Sequence, residues 1–274
     1  MANYDKWLQD VVEAAEEVLK NLPPVEFKEE AYEEALCHEM RIRGIPYERQ
    51  RNFELLYKGY KIGTGRVDFI INPYWATKKE ENVLEIKSVK KIEKKHIKQA
   101  KVYMNSLGIK KGAVMSFHYE VGVQVEPLEL STVKPISWSV VQPKVKKIEK
   151  IKLFLEYALN EVYQYFGSEF IYRESTNIES YKKAMGVEFR LNGIDFKSVS
   201  FPVMYKNQTV YEDKIDFVFE DNTALVLSIY ENQENIDTDR AIYDYYAQLI
   251  GIKKMYLGMI PKKETENALL IEVW

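Results

Sequence analysis

Hydrophobic positions recur at helical spacing in three places within the first half of the chain. They predict helices over about 7–20, 28–43 and 94–106. The first two are expected to end at Leu22-Pro23-Pro24 and at Gly44, since proline and glycine stop helices. Four apolar segments rich in β-branched residues and tyrosine predict strands, at 53–57, 61–72, 82–89 and 112–118. This order of elements indicates an α/β or α+β unit with a central mixed β-sheet flanked by helices.

The same pattern recurs in the second half of the chain. Residues 32–47 align without gaps with 181–196, and six of the aligned pairs are identical. Three further segments match in the same order: VDFII with IDFVF, VLEIK with VLSIY, and LGIKK with IGIKK. Ordered self-similarity predicts an internal duplication. We expect domains at 1–126 and 151–274, joined by a proline- and lysine-rich linker at 127–150.

Composition limits the class of protein. With 46% hydrophobic and 30% charged residues, the chain is expected to be globular rather than disordered or fibrous. The formal net charge of −3 means that any attraction to nucleic acid must be local. The single cysteine, Cys37, excludes an intrachain disulfide and fits a reducing compartment. Because apolar runs are far shorter than the roughly 20 residues that span a bilayer, we expect a cytoplasmic protein without a membrane anchor.

Charged residues interrupt two otherwise apolar predicted strands. Asp68 lies in one of them, and Glu85 and Lys87 lie in the next, where alternation puts both on the same face. This pattern is also found on solvated strand edges, but charges in buried strands are costly unless they are paired or bind metal. Carboxylate oxygens are preferred Mg²⁺ ligands. The sequence therefore predicts that Asp68 and Glu85 hold Mg²⁺ or Mn²⁺, with Lys87 orienting or helping to deprotonate an attacking water.

A lysine-rich segment follows the second of these strands. Residues 87–101 contain seven lysines, among them Lys90 and Lys94, and one acidic residue, Glu93. This density is typical of phosphate-binding surfaces, and a solvated helix face is the alternative.

These motifs together resemble the PD-(D/E)XK nuclease superfamily, and specifically the small bacterial and archaeal GxxExxR proteins. The resemblance covers about residues 7–118. It rests on Tyr32 with the four residues after it, Arg41-x-Arg43-Gly44-Ile45, Tyr57-Lys58-Gly59, Asp68, Leu84-Glu85-Ile86-Lys87, and His96-x-x-Gln99-x-x-x-Tyr103. The last of these motifs is also similar to the Q-x-x-x-Y element of RecB-like exonucleases.

The resemblance implies two tandem restriction-endonuclease-like units and a Mg²⁺- or Mn²⁺-dependent nuclease, with DNA favoured over RNA as its substrate. The resemblance also implies that an acidic residue of the early helix belongs to the catalytic site and binds the metal. Glu29 is the first choice for this residue and Glu33 the second. Gln99 and Tyr103, one helical turn apart, are expected near the substrate, where Gln99 would hydrogen-bond the lysine or a phosphate. For Tyr103 taken alone, packing in the core is the favoured role. His96 is expected either to contact phosphate or to lie on a solvated helix face.

The second copy is predicted to lack catalytic residues. Asp216 occupies the position of Asp68, but the alignment puts Ser228 and Tyr230 where the first copy has its glutamate and lysine, and Ile242 where it has Gln99. Residues 230–244 carry five acids and one arginine, so they should repel phosphate. We expect this copy to pack on the first or on a protein partner. The alternative for the whole chain is a non-catalytic nucleic-acid-binding or assembly subunit that retains the fold.

Overall fold

The computed structural model describes residues 4–78, 80–131, 151–168, 178–263 and 266–274. The chain divides into two compact units, Met1–Trp138 and Ser139–Trp274. Each unit is a mixed α+β structure with a central sheet flanked by helices, as the sequence predicts, and the described residues form five strands in each sheet. Among the described helices, none has the length and apolar character needed to cross a membrane.

The first unit contains helices and strands in the order α1 (Lys6–Asn21), α2 (Glu29–Ile42), β1 (Tyr47–Tyr57), β2 (Tyr60–Ile71), α3 (Tyr74–Thr77), β3 (Asn82–Lys87), α4 (Lys94–Leu107), β4 (Lys111–His118) and β5 (Gly122–Glu129). The sheet order is β1-β2-β3-β4-β5. Only β3 and β4 are parallel, and α4 supplies the crossover between them. Gly44, at φ 67°, follows α2, as its position in the sequence predicts.

Strand alternation gives the sheet of the first unit two different faces. Helices α1 and α2 pack on one face, against a buried cluster that includes Phe69, Leu84, Ile86 and Met115. Since neighbouring residues on a strand point to opposite faces, Asp68, Glu85 and Lys87 belong to the other one. Helix α4 covers that face, where the Sδ atom of Met104 lies over Gly112 of β4.

Two strands differ from the sequence prediction. β1 begins at Tyr47 rather than near Phe53, because its charged first half pairs with β2 although it has no apolar alternation. β5 was not predicted, because its alternation is weak and it contains Pro127. The proline is tolerated because β5 is an edge strand. β5 includes the first three residues of the predicted linker, and 132–150 lie outside the described residues.

The second unit repeats this arrangement. Its described elements are α5 (Ile151–Phe166), α6 (Ile178–Leu191), β6 (Phe196–Tyr205), β7 (Gln208–Phe219), β8 (Thr223–Tyr230), α7 (Gln233–Ile250), β9 (Lys254–Pro261) and β10 (Leu269–Glu272). The sheet order is β6-β7-β8-β9-β10, and the parallel pair is again the third and fourth strands, on either side of a crossover helix.

Candidate active site

Asp68 and Glu85 lie side by side on the paired strands β2 and β3. Phe69 is opposite Leu84, which brings Asp68 level with Glu85. The backbone N–H of Ile86 donates to Oδ2 of Asp68 at 2.8 Å, and the N–H of Asp68 lies 3.4 Å from Oε1 of Glu85. Each carboxylate is therefore held by the backbone of the neighbouring strand. This fixes two negative groups at one point of the sheet.

The ammonium of Lys87 lies among oxygen atoms. Its Nζ donates to the carbonyl oxygen of Ile86 at 2.7 Å, and it lies 3.7 Å from Oε2 of Glu85 and 3.6 Å from Oε1 of Glu29. Glu85 is 0% and Lys87 5% exposed. Two charges buried to this degree require such pairing to offset their lost hydration. The site thus combines groups from β2, β3 and the first turn of α2.

The two candidate helix acids have different partners. Glu29, the first residue of α2, forms the ion pair with Lys87. Glu33, one turn later, is buried and accepts hydrogen bonds from Nε of Arg49 at 2.6 Å and from Nε2 of Gln50 at 3.0 Å. The hydrogen bond to Glu33 raises the pKa of the Arg49 guanidinium. In this structure the helix acid that contacts the lysine is Glu29, while Glu33 is engaged by β1.

The oxygen atoms around Lys87 are suited to a hard cation. Within the described parts of the chain, no group of three or more His, Cys, Asp and Glu side chains is close enough to form a complete metal site. Asp68 and Glu85, however, supply the one or two carboxylates through which Mg²⁺ is usually bound, with waters and substrate phosphate as further ligands. The residues therefore fit a metal ion that retains open positions for a substrate.

Three of the residues expected at the substrate are in the core. Gln99 and Tyr103 are 0% exposed, and Nε2 of Gln99 donates to the tyrosine hydroxyl at 3.1 Å. His96 is buried and accepts a hydrogen bond from the N–H of Glu93 in a capping box at the start of α4. His96 is therefore not on a solvated helix face, and a role of these side chains near the substrate stays a prediction. Both hydrogen bonds lie within α4 and its N-terminal cap.

The lysines differ in their availability to a ligand. Lys94, the first residue of α4, and Lys91 before it are exposed. Lys90 is exposed too, but it is paired with Glu120 at 2.6 Å, and this hydrogen bond raises its pKa. These ammonium groups follow directly after the strand that carries Glu85 and Lys87. They provide a local positive region next to the candidate site.

Two serines that the sequence analysis did not select hold the chain beyond Lys87. Ser116 on β4 exchanges hydrogen bonds with the backbone of Val89, and Ser88 donates to the carbonyl oxygen of Phe27 at 2.7 Å. The second contact ties the end of β3 to the segment before α2. Ser116 could have been recognised as a polar residue within the apolar segment AVMSF.

The strand register corrects the alignment of the two copies. In the first unit Phe69 pairs with Leu84, and in the second Phe217 pairs with Leu225. The N–H that binds the aspartate belongs to Ile86 in the first unit and to Leu227 in the second. The counterparts of Glu85 and Lys87 are therefore Val226 and Ser228, not Ser228 and Tyr230. The sequence alignment was wrong by two residues, a slip that preserves the apolar alternation and so leaves no signal in the pattern.

A lysine takes over the place of a helix acid in the second unit. Lys182, at the position on α6 that Glu33 has on α2, pairs with Asp216 at 2.8 Å and with Glu179 at 3.1 Å. Burial lowers the pKa of Lys182, but the hydrogen bond and charge of Asp216 outweigh it and leave the pKa raised. The aspartate is thus neutralised by a side chain of its own unit. Ser228 donates to Asp239 on α7.

Acidic groups and a lysine that meet on neighbouring strands of a mixed sheet, beside a crossover helix, define the class of the first unit as a nuclease-like α+β domain. Residues 5–127 match the family described as the PD-(D/E)XK nuclease superfamily. This match, which covers most of the described first unit, confirms the resemblance inferred from the sequence. No curated protein matches the chain.

Proposed function

We propose that the first unit is a metal-dependent nuclease that hydrolyses phosphodiester bonds of DNA. The observation that carries this proposal is the convergence of Asp68, Glu85 and Lys87 at one point of the sheet, within residues that match a nuclease superfamily. The adjacent lysines, which include Lys91 and Lys94, favour a polyanionic substrate.

Each side chain has a definite role in this proposal. Asp68 and Glu85 would hold Mg²⁺ or Mn²⁺. When bound, such an ion lowers the pKa of a coordinated water and neutralises charge on the phosphate. Lys87 would donate hydrogen bonds to the attacking water or to a phosphate oxygen, since its three donors already lie between carboxylates and a carbonyl. Glu29 would position Lys87 and support the metal site.

We infer that the second unit arose by duplication of the first and does not catalyse cleavage. The same strand order, the same parallel pair and the shared aspartate support a common origin. Val226 and Ser228 replace the glutamate and the lysine, and Lys182 already neutralises Asp216. Asp216, already paired to an internal ammonium, is therefore less available to a divalent ion than Asp68.

Cleavage of defined DNA substrates tests the proposal. The wild-type protein would be incubated with end-labelled single- and double-stranded DNA, linear and circular, with Mg²⁺, Mn²⁺ or EDTA. Metal-dependent cutting is expected, with a loss of about 100-fold or more in Lys87→Ala, which removes the general acid–base or positioning group. Lys110→Ala is the matched control, since Lys110 forms an exposed pair with Glu129 near the opposite end of β4.

The circular substrate separates endonuclease from exonuclease activity. Cutting that persists undiminished in Lys87→Ala would contradict the assignment of the site. Absence of cutting together with salt-sensitive DNA binding would instead support the alternative, a non-catalytic binding or assembly subunit.

A further inference from the structure

A hairpin closes over the crossover helix in the first unit. Strands β1 and β2 form the hairpin, and the N–H of Leu56 near its tip donates to Oγ of Ser106 on α4 at 3.2 Å. In the middle of the hairpin, Phe53 packs edge-on against Tyr103 with 4.9 Å between ring centroids. The side chains that line this contact are therefore buried.

The corresponding hairpin of the second unit, β6–β7, does not cover its helix in the same way. The aromatic contact in the middle of the hairpin is kept, with 4.7 Å between the ring centroids of Phe201 and Tyr246. Beyond it, equivalent positions change from buried to exposed. The exposed fraction rises from 1% at Tyr57 to 60% at Tyr205, from 1% at Ile62 to 59% at Val210, from 3% at Val102 to 62% at Tyr245, and from 4% at Ser106 to 53% at Leu249.

Glycines explain why the first hairpin can close. Gly63 and Gly65 lie on its inner face, and a Cβ at Gly65 would come within 3.0 Å of the ring of Phe53. The second unit has Tyr211 and Asp213 at these two positions. The second hairpin therefore carries side chains where the first has none. Tyr211 is itself 62% exposed.

The result is a set of large, exposed apolar side chains on one hairpin and one helix, which we call the open face. It consists of Tyr205, Val210, Tyr211, Ile242, Tyr245 and Leu249. The three helical members recur at the spacing that places side chains on one side of a helix. Exposed apolar groups clustered in this way mark interaction surfaces, and tyrosine is enriched among residues that dominate binding energies.

Charge indicates which kind of partner this surface fits. Helix α7 has four acidic residues and one arginine, whereas the equivalent helix α4 has four lysines and no acid. On the hairpin, Glu212 and Asp213 are balanced by Lys206 and Lys214, so the negative charge of the open face comes from α7. An acidic setting repels a phosphate backbone. It also opposes a two-fold contact with a second copy, in which the same acidic surfaces would face each other.

We propose that the open face binds a protein segment that presents an apolar stripe flanked by lysine or arginine. The apolar side chains would supply the buried contact, and the acids around them would select a basic partner. This function uses the second unit alone and does not depend on cleavage by the first.

Three synthetic amphipathic helical peptides with the same leucine stripe, and with lysine, glutamine or glutamate at the polar positions, test the proposal. Binding to the full chain would be measured by fluorescence anisotropy. The lysine peptide is expected to bind at least about tenfold more tightly than the glutamate peptide, and Tyr245→Ser/Leu249→Ser should weaken it by about tenfold or more. Leu153→Ser, which alters an equally exposed leucine on α5, is the matched control and should leave the affinity unchanged.

Several results would overturn the proposal. Equal affinity for the three peptides, or an equal loss in Leu153→Ser, would show that the open face does not select a basic segment. A dimer in sedimentation that disappears in the double variant would make a second copy the occupant. DNA binding that is lost in the double variant would make nucleic acid the occupant. Thermal unfolding of the variants should match that of the wild type, because the substituted side chains are exposed.

Discussion

At the scale of single residues, the pair between Lys182 and Asp216 distinguishes the two units most clearly. Asp216 is only 8% exposed, so removal of its partner leaves a carboxylate that is buried and uncompensated. Lys182→Met should destabilise the second unit by about 2 kcal/mol, less than for a fully buried pair because Lys182 is partly exposed. Hydrogen–deuterium exchange of the β8 amides would measure the loss.

The double variant Lys182→Met/Asp216→Asn provides the control for this prediction. It removes both charges, and more than half of the lost protection should return because no unpaired charge remains. Equal exchange in the wild type and Lys182→Met would contradict the role given to the pair. Since the pKa of Lys182 is raised, its contribution should be complete at neutral pH and be lost only as the pH rises past that raised pKa.

Arg51 provides a prediction about acid stability in the first unit. It donates to Glu81 and Glu48, and these hydrogen bonds lower the pKa of both carboxyl groups. A lowered pKa adds stability that is present above the unfolded value of about 4.3 and is lost as the pH falls through the folded value. Arg51→Gln should therefore lower the unfolding free energy by about 1 kcal/mol at pH 7.

Thermal unfolding at neutral and acidic pH checks this expectation. The difference between wild type and Arg51→Gln should narrow below about pH 4, where protonation removes the same interaction from the wild type. A difference that stays constant from pH 7 to pH 3 would mean that the arginine stabilises the unit in another way.

At the scale of elements, the start of α4 should determine affinity for DNA. Lys91→Glu/Lys94→Glu reverses two exposed charges next to the candidate site. DNA affinity should fall by about tenfold or more, and the slope of log affinity against log salt should become shallower by about 0.9 for each lost phosphate contact. Binding titrations at several salt concentrations measure both quantities.

Lys6→Glu/Lys20→Glu is the control for this element, because it makes the same change in net charge on α1, away from β3 and α4. An equal loss of affinity in both double variants would indicate a general effect of net charge. It would then remove the reason for placing the DNA at α4.

Most elements could be predicted from the sequence because their burial follows a simple period. Helices α1, α2 and α4 have one apolar side, and β2, β3 and β4 are apolar runs. The first half of β1 carries charges that pair with neighbours distant in the sequence, such as Arg51 with Glu81. It therefore lacks the apolar alternation that predicts a strand. β5 was not predicted because it contains Pro127, which is unfavourable within most strands.

The site itself was predictable in part. Asp68, Glu85 and Lys87 were identifiable because each interrupts an apolar strand, and their proximity followed from adjacent strands. Core packing was expected for Tyr103, but the burial of Gln99 was not predicted, because the hairpin that covers this side of α4 is far away in the sequence. The correct counterpart of Glu85 required the strand register, since a shift of two residues changes neither periodicity nor face.

At the scale of the whole molecule, the two units share one fold and differ in the sign of the charge on their crossover helices. Helix α4 has only basic charged side chains, while acidic residues predominate on α7. We propose that the first unit cleaves DNA and that the second attaches a basic protein segment. Such a division would bring a nuclease to a location that its partner selects.

The most direct test of this account compares two variants at equivalent positions, Lys87→Ala in the first unit and Ser228→Ala in the second. Cleavage of one DNA substrate by each would be measured with Mn²⁺, beside the wild type. The account predicts a loss of about 100-fold or more for Lys87→Ala and an unchanged rate for Ser228→Ala. Cleavage that survives in Lys87→Ala but is lost in Ser228→Ala would place catalysis in the second unit and contradict the account.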